Sequence, residues 1–199
     1  DDCYMKDKEQ TRNRHSIRLT DYDYSSEGVY FVTMCAYRNR YLFGHLIEEQ
    51  IQLSEAEKIV DNEWLNIPVR FPNVFLDEYV IMPNHMHGIV IVGATLAIAL
   101  SGHERAGASP APTRLDSKIM CKTERPSLGR IIGAFKSLSN GKCVEYIEKN
   151  NVLEKFGRLW QRSFYDHVIR SDGELNQIRK YIIDNLRKWQ IDQGITENP

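Results

Sequence analysis

The sequence predicts an α+β fold in which helices pack on a central antiparallel, ferredoxin-like sheet. Segments with strand and helix character follow one another in the order strand, helix, strand, strand, helix, strand, helix. The 199 residues, 42% hydrophobic and 27% charged, are enough for one ordinary globular core. We therefore expect a single domain over residues 1–199, interrupted by an insert at 93–124.

The first strand and helix are predicted from residue type and from period. Residues 29–37 form a continuous run rich in β-branched and aromatic side chains, typical of a central strand covered on both faces. Ser54 is a candidate helix cap, and the apolar residues after it recur at helical spacing as far as Leu65. Pro68 ends this predicted helix.

The middle of the chain predicts a hairpin, an insert and a second helix. Apolar runs at 74–82 and 85–92 flank Pro83–Asn84, which predicts two strands joined by a tight turn. Residues 93–124 follow neither the strand nor the helix period, and we expect a long surface loop there. Ser127 should cap a helix that runs to Lys149, with a possible break at Gly141.

The last part of the chain predicts one more strand and a final helix. Mixed aromatic alternation indicates a strand over residues 159–170. The final helix should begin at Asp172 or Gly173 and continue to Trp189, with apolar residues at helical spacing.

Two short patterns carry potential chemistry. On a strand, His85 and His87 project from the same face about 7 Å apart, which is half of a metal site or a pair of hydrogen-bonded structural histidines. In the last helix, Tyr181 and Asn185 share a face. The phenol is a potential nucleophile or a packing aromatic, and the carboxamide oxygen suits a hard cation such as Mg²⁺ or Mn²⁺.

Charge and cysteine patterns limit the possible partners and compartment. The net charge of −1 gives no overall sign of nucleic-acid binding. The basic residues among the first twenty belong either to a frayed terminus or to an arm that contacts phosphates. The six cations between 118 and 142 form either a solvated face or a surface that binds a polyanion. The four cysteines contain no Cys-x-x-Cys pair and are predicted to be free thiols of a reducing, cytoplasmic compartment. No stretch reaches 18 apolar residues, so no membrane span is expected.

The motifs together resemble a known family. Val-Ile-Met-Pro-Asn-His-Met-His, ending at His87, and Tyr-Ile-Ile-Asp-Asn, ending at Asn185, resemble the single-tyrosine HUH endonucleases, most closely the REP-associated tyrosine transposases. Ser-Ile-Arg-Leu-Thr-Asp-Tyr-Asp-Tyr (16–24) and Leu-Trp-Gln-Arg-Ser-Phe-Tyr-Asp-His-Val-Ile-Arg (159–170) are also similar to that group. The resemblance covers nearly the whole chain outside 93–124.

The resemblance implies a fold, a site and a substrate. It implies the HUH endonuclease fold with a C-terminal tyrosine-bearing helix, and a divalent metal, Mg²⁺ or Mn²⁺, held by His85, His87 and Asn185. It implies that Tyr181 attacks single-stranded, hairpin-forming DNA and leaves a covalent 5′-phosphotyrosine, in a monomer or a homodimer. The chain departs from the family at Leu186, where a proline often follows the asparagine.

Several alternatives stay open. Asp184 is a rival ligand about 100° around the helix from Asn185, and Tyr165 is a rival nucleophile beside His167, which we interpret as structural. A metal-dependent hydrolase or a non-catalytic hairpin-binding protein derived from such an enzyme are the alternative functions. The candidate DNA-binding residues are Arg12, Arg14, Arg18, Arg130, Lys136 and Arg162.

Overall fold

The computed structural model describes residues 22–24, 26–47, 50–93, 126–150 and 157–192. The chain runs through β1 (Gly28–Cys35), β2 (Gly44–Ile47), β3 (Gln50–Leu53), α1 (Glu55–Leu65), α2 (Ile67–Arg70), β4 (Val74–Met82), β5 (His85–Val92), α3 (Leu128–Lys149), β6 (Tyr165–Ile169) and α4 (Asp172–Asp192). None of the helices in these ranges is both long and apolar enough to cross a membrane.

The main sheet has the strand order β4-β5-β1-β6, with every neighbouring pair antiparallel. β1 pairs with β5 along its whole length, from Gly28 opposite Val92 to Cys35 opposite His85. The skeleton β1-α1-β4-β5-α3-β6 on this sheet is ferredoxin-like, and the predicted α+β class is confirmed.

One face of the sheet is covered by α1 and α3. Trp64 of α1 is fully buried and lies directly over Gly88 of β5, where any Cβ would collide with the indole ring. Glu63 of α1 is 0% exposed and forms ion pairs with Arg70 of α2 and Lys142 of α3. The three helices are therefore joined through this carboxylate. Burial without these two cations would be costly for a carboxylate, so this contact fixes the helices relative to one another.

The opposite face is covered by α4. Leu175 and Ile182 of the helix pack with Val29, Ile89 and Ile91 of the central strands in a second, smaller core. Because side chains alternate across a strand, the odd-numbered residues of β1 and β5 all face α4, and these include His85 and His87. The fold therefore places both predicted site segments on the same side of the sheet.

The structure corrects several local expectations. The predicted strand at 159–170 is wrong for its first half, where Trp160 makes only a single bridge to Ala36 and regular pairing begins at Tyr165. Gly141 does not divide α3, because the glycine occupies an exposed helix position with open space around it. The two-stranded β2–β3 sheet and α2 were not predicted.

Other expectations lie partly or wholly beyond the described ranges. The first twenty residues and all of the predicted insert except Gly93 lie outside the described residues.

The predicted cap at Ser54 is confirmed, since its hydroxyl accepts from the backbone N–H of Glu57. The predicted cap at Ser127 is confirmed in the same way by the N–H of Arg130. Cys35 and Cys143 form no disulfide bond within the described ranges, as predicted, and Cys3 and Cys121 lie outside those ranges.

Candidate catalytic site

The two histidines lie at the beginning of β5, directly after the two-residue turn Pro83–Asn84. Their rings converge rather than staying parallel, so that the two Nε2 atoms are 3.1 Å apart. The strand alone predicted only that both rings share a face. The convergence comes from what holds the opposite nitrogen of each ring.

Each Nδ1 atom has its own partner. Nδ1 of His85 lies 2.7 Å from Oδ1 of Asn84, and Nδ1 of His87 lies 2.8 Å from Oγ1 of Thr33, the residue opposite it on β1. An amide oxygen only accepts, so Nδ1 of neutral His85 donates and its Nε2 carries a lone pair. When the Thr33 hydroxyl accepts from Nδ1 of His87 in the same way, Nε2 of His87 is also unprotonated. Its lone pair then points towards Nε2 of His85.

This arrangement fits two nitrogen ligands of one cation. Two nitrogens each about 2.1 Å from a metal are about 3.0–3.4 Å apart when the angle between them is about 90–109°. Hydrogen bonding of the distal ring nitrogen is also the usual way in which ligand histidines are oriented. Burial lowers the pKa of His85 to about 4, and burial with the adjacent His85 lowers the pKa of His87 to about 3. Both rings are therefore neutral at pH 7, as metal ligation requires.

Tyr181 of α4 lies against the histidine pair on the face of the sheet that this helix covers. Its hydroxyl is 3.4 Å from Nε2 of His87, and its ring lies edge-on to the rings of His87 and Phe31. The residue as a whole remains 45% exposed, so the tyrosine is not enclosed by the core. The tyrosine and both histidines belong to the same chain.

Asn185 follows one turn later and is half-buried. Taking Tyr181 as zero and about 100° per residue, the buried Leu175 and Ile182 point about 120° and 100° around the helix. Asn185 lies at about 40° and Asp184 at about −60°, so the asparagine is nearer to the sheet-facing side. Helix geometry thus favours Asn185 over Asp184 as a neighbour of the histidines.

No conventional cluster competes with this pair. Within the described ranges, no three or more histidine, cysteine, aspartate or glutamate side chains are placed to hold a metal. A further ligand from these ranges would have to be a neutral or phenolic oxygen. The amide of Asn185 is such a group, and its role as a ligand stays a prediction.

Two polar contacts fix α4 on the sheet. Arg179 donates through Nε and Nη2 to the carboxylate of Asp77 on β4, with the shortest distance 2.6 Å. At the start of the helix, Glu174 accepts from Nε2 of His167 at 2.7 Å and from the backbone N–H of Arg170. His167 thus contacts the helix and not the histidine pair.

The other predicted residues are spread over the surface. Tyr165 is exposed and lies opposite Thr33 on β6, two strands away from His87. Arg130 is exposed in the first turn of α3, and Arg162 is exposed in the segment before β6. Arg12, Arg14 and Arg18 lie outside the described residues.

Lys136 makes contacts within the protein that the sequence did not indicate. Its ammonium donates to the backbone oxygens of Gln161 and Ser163 and lies 5.7 Å from the ring centre of Phe164. Burial lowers its pKa to about 8. The structure therefore uses this lysine to hold the 161–164 segment, and contact with DNA stays a prediction.

Thr33 is the residue that sequence reasoning missed. It lies in an apolar strand, and only the register of β1 against β5 reveals that it faces His87. Asn84 was seen as a turn residue, but its contact with His85 was not anticipated.

Comparisons with known proteins agree with this architecture. No family model matches the chain. An uncharacterized protein of Haemophilus influenzae (strain Rd) is 38% identical over 181 residues, which cover 91% of this chain and 92% of that protein. The solved structure of a REP-associated tyrosine transposase bound to a REP hairpin aligns with a TM-score of 0.54 over 90% of this chain and 76% of that one. The sequence identity in that alignment is 14%, so the likeness is one of fold.

Proposed function

Because this chain belongs to the same family as the Haemophilus influenzae protein and has the fold of a REP-associated tyrosine transposase, we propose that it is a transposase-like enzyme acting on single-stranded, hairpin-forming DNA. The observation that carries the proposal is the position of Nε2 of His87, which lies 3.1 Å from Nε2 of His85 and 3.4 Å from the hydroxyl of Tyr181. Tyr181 is the nucleophile of the proposed reaction, and His85, His87 and Asn185 are the candidate metal ligands.

The amide oxygen and the open positions for oxygen ligands suit a hard divalent cation. Two neutral imidazoles with a carboxamide oxygen leave room for phosphate oxygens and water, as Mg²⁺ or Mn²⁺ requires. When bound, such a cation supplies Lewis acidity at the scissile phosphate and neutralises charge that develops on its oxygens. The hydrogen bonds that the two Nδ1 atoms donate to Asn84 and Thr33 keep both Nε2 lone pairs directed at the position of the cation.

Tyr181 supplies the bond-making atom. Its oxygen attacks phosphorus, the bond from phosphorus to the 3′ oxygen breaks, and the proton lost by the phenol is balanced by the proton gained by the 3′-hydroxyl. The product is a 5′-phosphotyrosine. A 3′-hydroxyl of another strand can reverse the same steps, so joining needs no separate energy source.

The geometry supports a site completed within one chain. Phe31 lies against both the His87 and Tyr181 rings and so fixes the direction from which the phenol approaches. The exposed side of Tyr181 is where a DNA phosphate would enter. A monomer could therefore perform the cleavage step, whatever its assembly state in solution.

The test is the covalent intermediate itself. We would incubate the protein with end-labelled hairpin DNA carrying single-stranded flanks and Mn²⁺, then resolve the products on a denaturing gel. A protein–DNA adduct is expected for the wild type and for Tyr165→Phe, and no adduct for Tyr181→Phe or in the presence of chelator. Tyr165→Phe is a matched control because that tyrosine is equally exposed and lies on the same face of the sheet.

Other outcomes would select another function. An adduct that persists in Tyr181→Phe would assign the nucleophile elsewhere. Turnover without any adduct would indicate a metal-dependent hydrolase that uses water. Hairpin binding that is indifferent to chelator and to Tyr181→Phe, without cleavage, would indicate a binding protein.

A further inference from the structure

Three connecting segments meet at the end of the sheet that carries His85. Residues 36–43 follow β1, Pro83–Asn84 precede β5, and residues 157–164 precede β6. Backbone hydrogen bonds join them: Ala36 N–H donates to the oxygen of Asn84, and Tyr37 N–H to that of Leu159. The segments therefore form one continuous surface beside the candidate site.

Buried aromatic side chains anchor this surface. Phe43 and Trp160, one from each longer segment, are buried with ring centres 4.9 Å apart. The indole N–H of Trp160 donates to Ser139 of α3, and Lys136 holds the 161–163 backbone from the same helix. The segments are therefore held by the core and do not depend on a ligand for their shape.

All charged residues of the two longer segments are arginines. The exposed arginines are Arg38, Arg40, Arg158 and Arg162, and we call these four residues the arginine rim. Residues 36–43 and 157–164 contain no aspartate or glutamate. Within the described ranges, none of the four guanidinium groups makes an ion pair. In a chain of net charge −1, this is a local excess of positive charge with no ion-pair partner among the residues that the structure describes.

The backbone of the rim is strained in a way that presents one of these charges. Arg38 and Asn39 both have positive φ, 57° and 53°, which is unfavourable for a residue such as arginine. Two contacts hold the turn: Gln161 donates from Nε2 to Oδ1 of Asn39, and the Arg38 guanidinium lies over the ring of Tyr37. Strain of this kind persists only where surrounding contacts fix it, and it is concentrated at functional positions.

We propose that the arginine rim binds the phosphates of a single-stranded DNA segment that leads into the candidate site. The identity of this ligand rests on the proposed function. Arginine contacts to successive phosphates supply affinity without sequence preference, and Tyr41, 51% exposed beside Arg40, offers a ring on which an unpaired base can stack. Residues 36–43 bond through their backbone to Pro83 and Asn84, which immediately precede His85, so a strand bound along the rim would pass the end of β5 that carries the histidine pair.

Binding is measured separately from cleavage. The parent protein is Tyr181→Phe in chelator, and the probe is a fluorescein-labelled oligothymidylate followed by anisotropy across a salt series. We expect Arg38→Ala/Arg40→Ala to weaken binding by about tenfold or more and to reduce the salt slope by about 1.4, since each phosphate contact on a single strand contributes about 0.7. Arg158→Ala/Arg162→Ala should behave in the same way.

A charge-matched control excludes a general electrostatic effect. Lys58→Ala/Arg170→Ala removes two exposed cations, one on α1 and one at the opposite end of the sheet. We expect this variant to lose less than about twofold in affinity and to keep its salt slope. Equal losses in the control, or none in the rim variants, would overturn the proposal.

Two further measurements keep the proposal specific. Arg38→Gly removes the charge and relieves the positive φ, so binding should weaken while the melting temperature does not fall. A blunt duplex probe should be bound weakly and be nearly insensitive to the rim variants, and an equal loss for that probe would overturn the assignment to single strands. Rim-dependent binding without any Tyr181 adduct would reject the proposed reaction alone, and an adduct with rim-independent binding would reject the rim alone.

Discussion

Removing the guanidinium of Arg179 should both destabilise the fold and misplace the nucleophile. Asp77 is 2% exposed and Arg179 21% exposed, and they are joined by two-pronged hydrogen bonds between α4 and β4. Arg179→Met keeps most of the apolar stem and leaves the carboxylate without its guanidinium. Breaking a fully buried pair costs roughly 3–5 kcal/mol, and we expect about 2–3 kcal/mol here because water reaches part of the arginine.

The effect on reaction should be larger than the effect on binding. Tyr181 lies two residues after Arg179, so loosening the helix displaces the phenol from His87. A displacement of this kind can cost about a hundredfold in rate, and we expect kcat for strand cleavage to fall about 10–100-fold with little change in KM. Urea unfolding and single-turnover cleavage measure the two effects.

The controls are a neighbouring cation and a double mutant. Lys180→Met removes an exposed charge from the same helix and should change neither quantity. Asp77→Leu/Arg179→Met replaces the pair by apolar groups and should be less destabilised than Arg179→Met alone, with a coupling energy of about 1 kcal/mol or more. An Arg179→Met protein that unfolds at the wild-type urea concentration, or additive effects in the double mutant, would refute the reasoning.

Three other predictions follow from single contacts. Thr33→Val should weaken Mn²⁺ binding about 10–100-fold by calorimetry, because His87 loses the partner of its Nδ1, whereas Thr33→Ser should bind normally. In chelator, the contribution of His85 and His87 to the free energy of unfolding should be constant above about pH 6.5 and fall between pH 6.5 and pH 4, by about 1.4 kcal/mol per pH unit for each histidine, because the unfolded chain takes up protons before the two buried rings do; a His85→Gln/His87→Gln variant that loses stability just as steeply would contradict this. Gly88→Ala should lower the free energy of unfolding by about 2–3 kcal/mol, measured in urea, because its methyl group would overlap the Trp64 ring, and an unchanged midpoint would show that the ring can move aside.

The elements that local pattern predicted best are the long ones. Period and residue type located the central strands and the helices capped by Ser54 and Ser127, because each extends over several turns or alternations. The four-residue strands β2 and β3 are shorter than any window in which a period can be recognised. Residues 159–164 imitate a strand because Leu159 and Trp160 are buried as anchors of a loop, and not as members of a ladder.

The candidate site was predictable only in part for a related reason. His85 and His87 are adjacent on a strand and Tyr181 and Asn185 on a helix, so each half has a local signal. The contacts that orient them join distant parts of the chain: Thr33 is 54 residues from His87, and Asp77 is 102 residues from Arg179. A single sequence contains no period that links such positions, because strand register and helix docking are decided by the packed core.

The end of the sheet opposite the candidate site is a suitable place to attach labels. Gly93 leaves β5 there, and Leu128 begins α3 with a hydrogen bond from its N–H to Tyr24, which lies beside the Gly28 end of β1. Gly93 follows His85 by eight positions along extended chain, a span of roughly 25 Å. Dyes, affinity tags or an exchanged connector attached between Gly93 and Leu128 would therefore be joined to the protein far from the histidine pair. Reporters fixed at Gly93 or Leu128 would leave the residues of the proposed reaction unmodified.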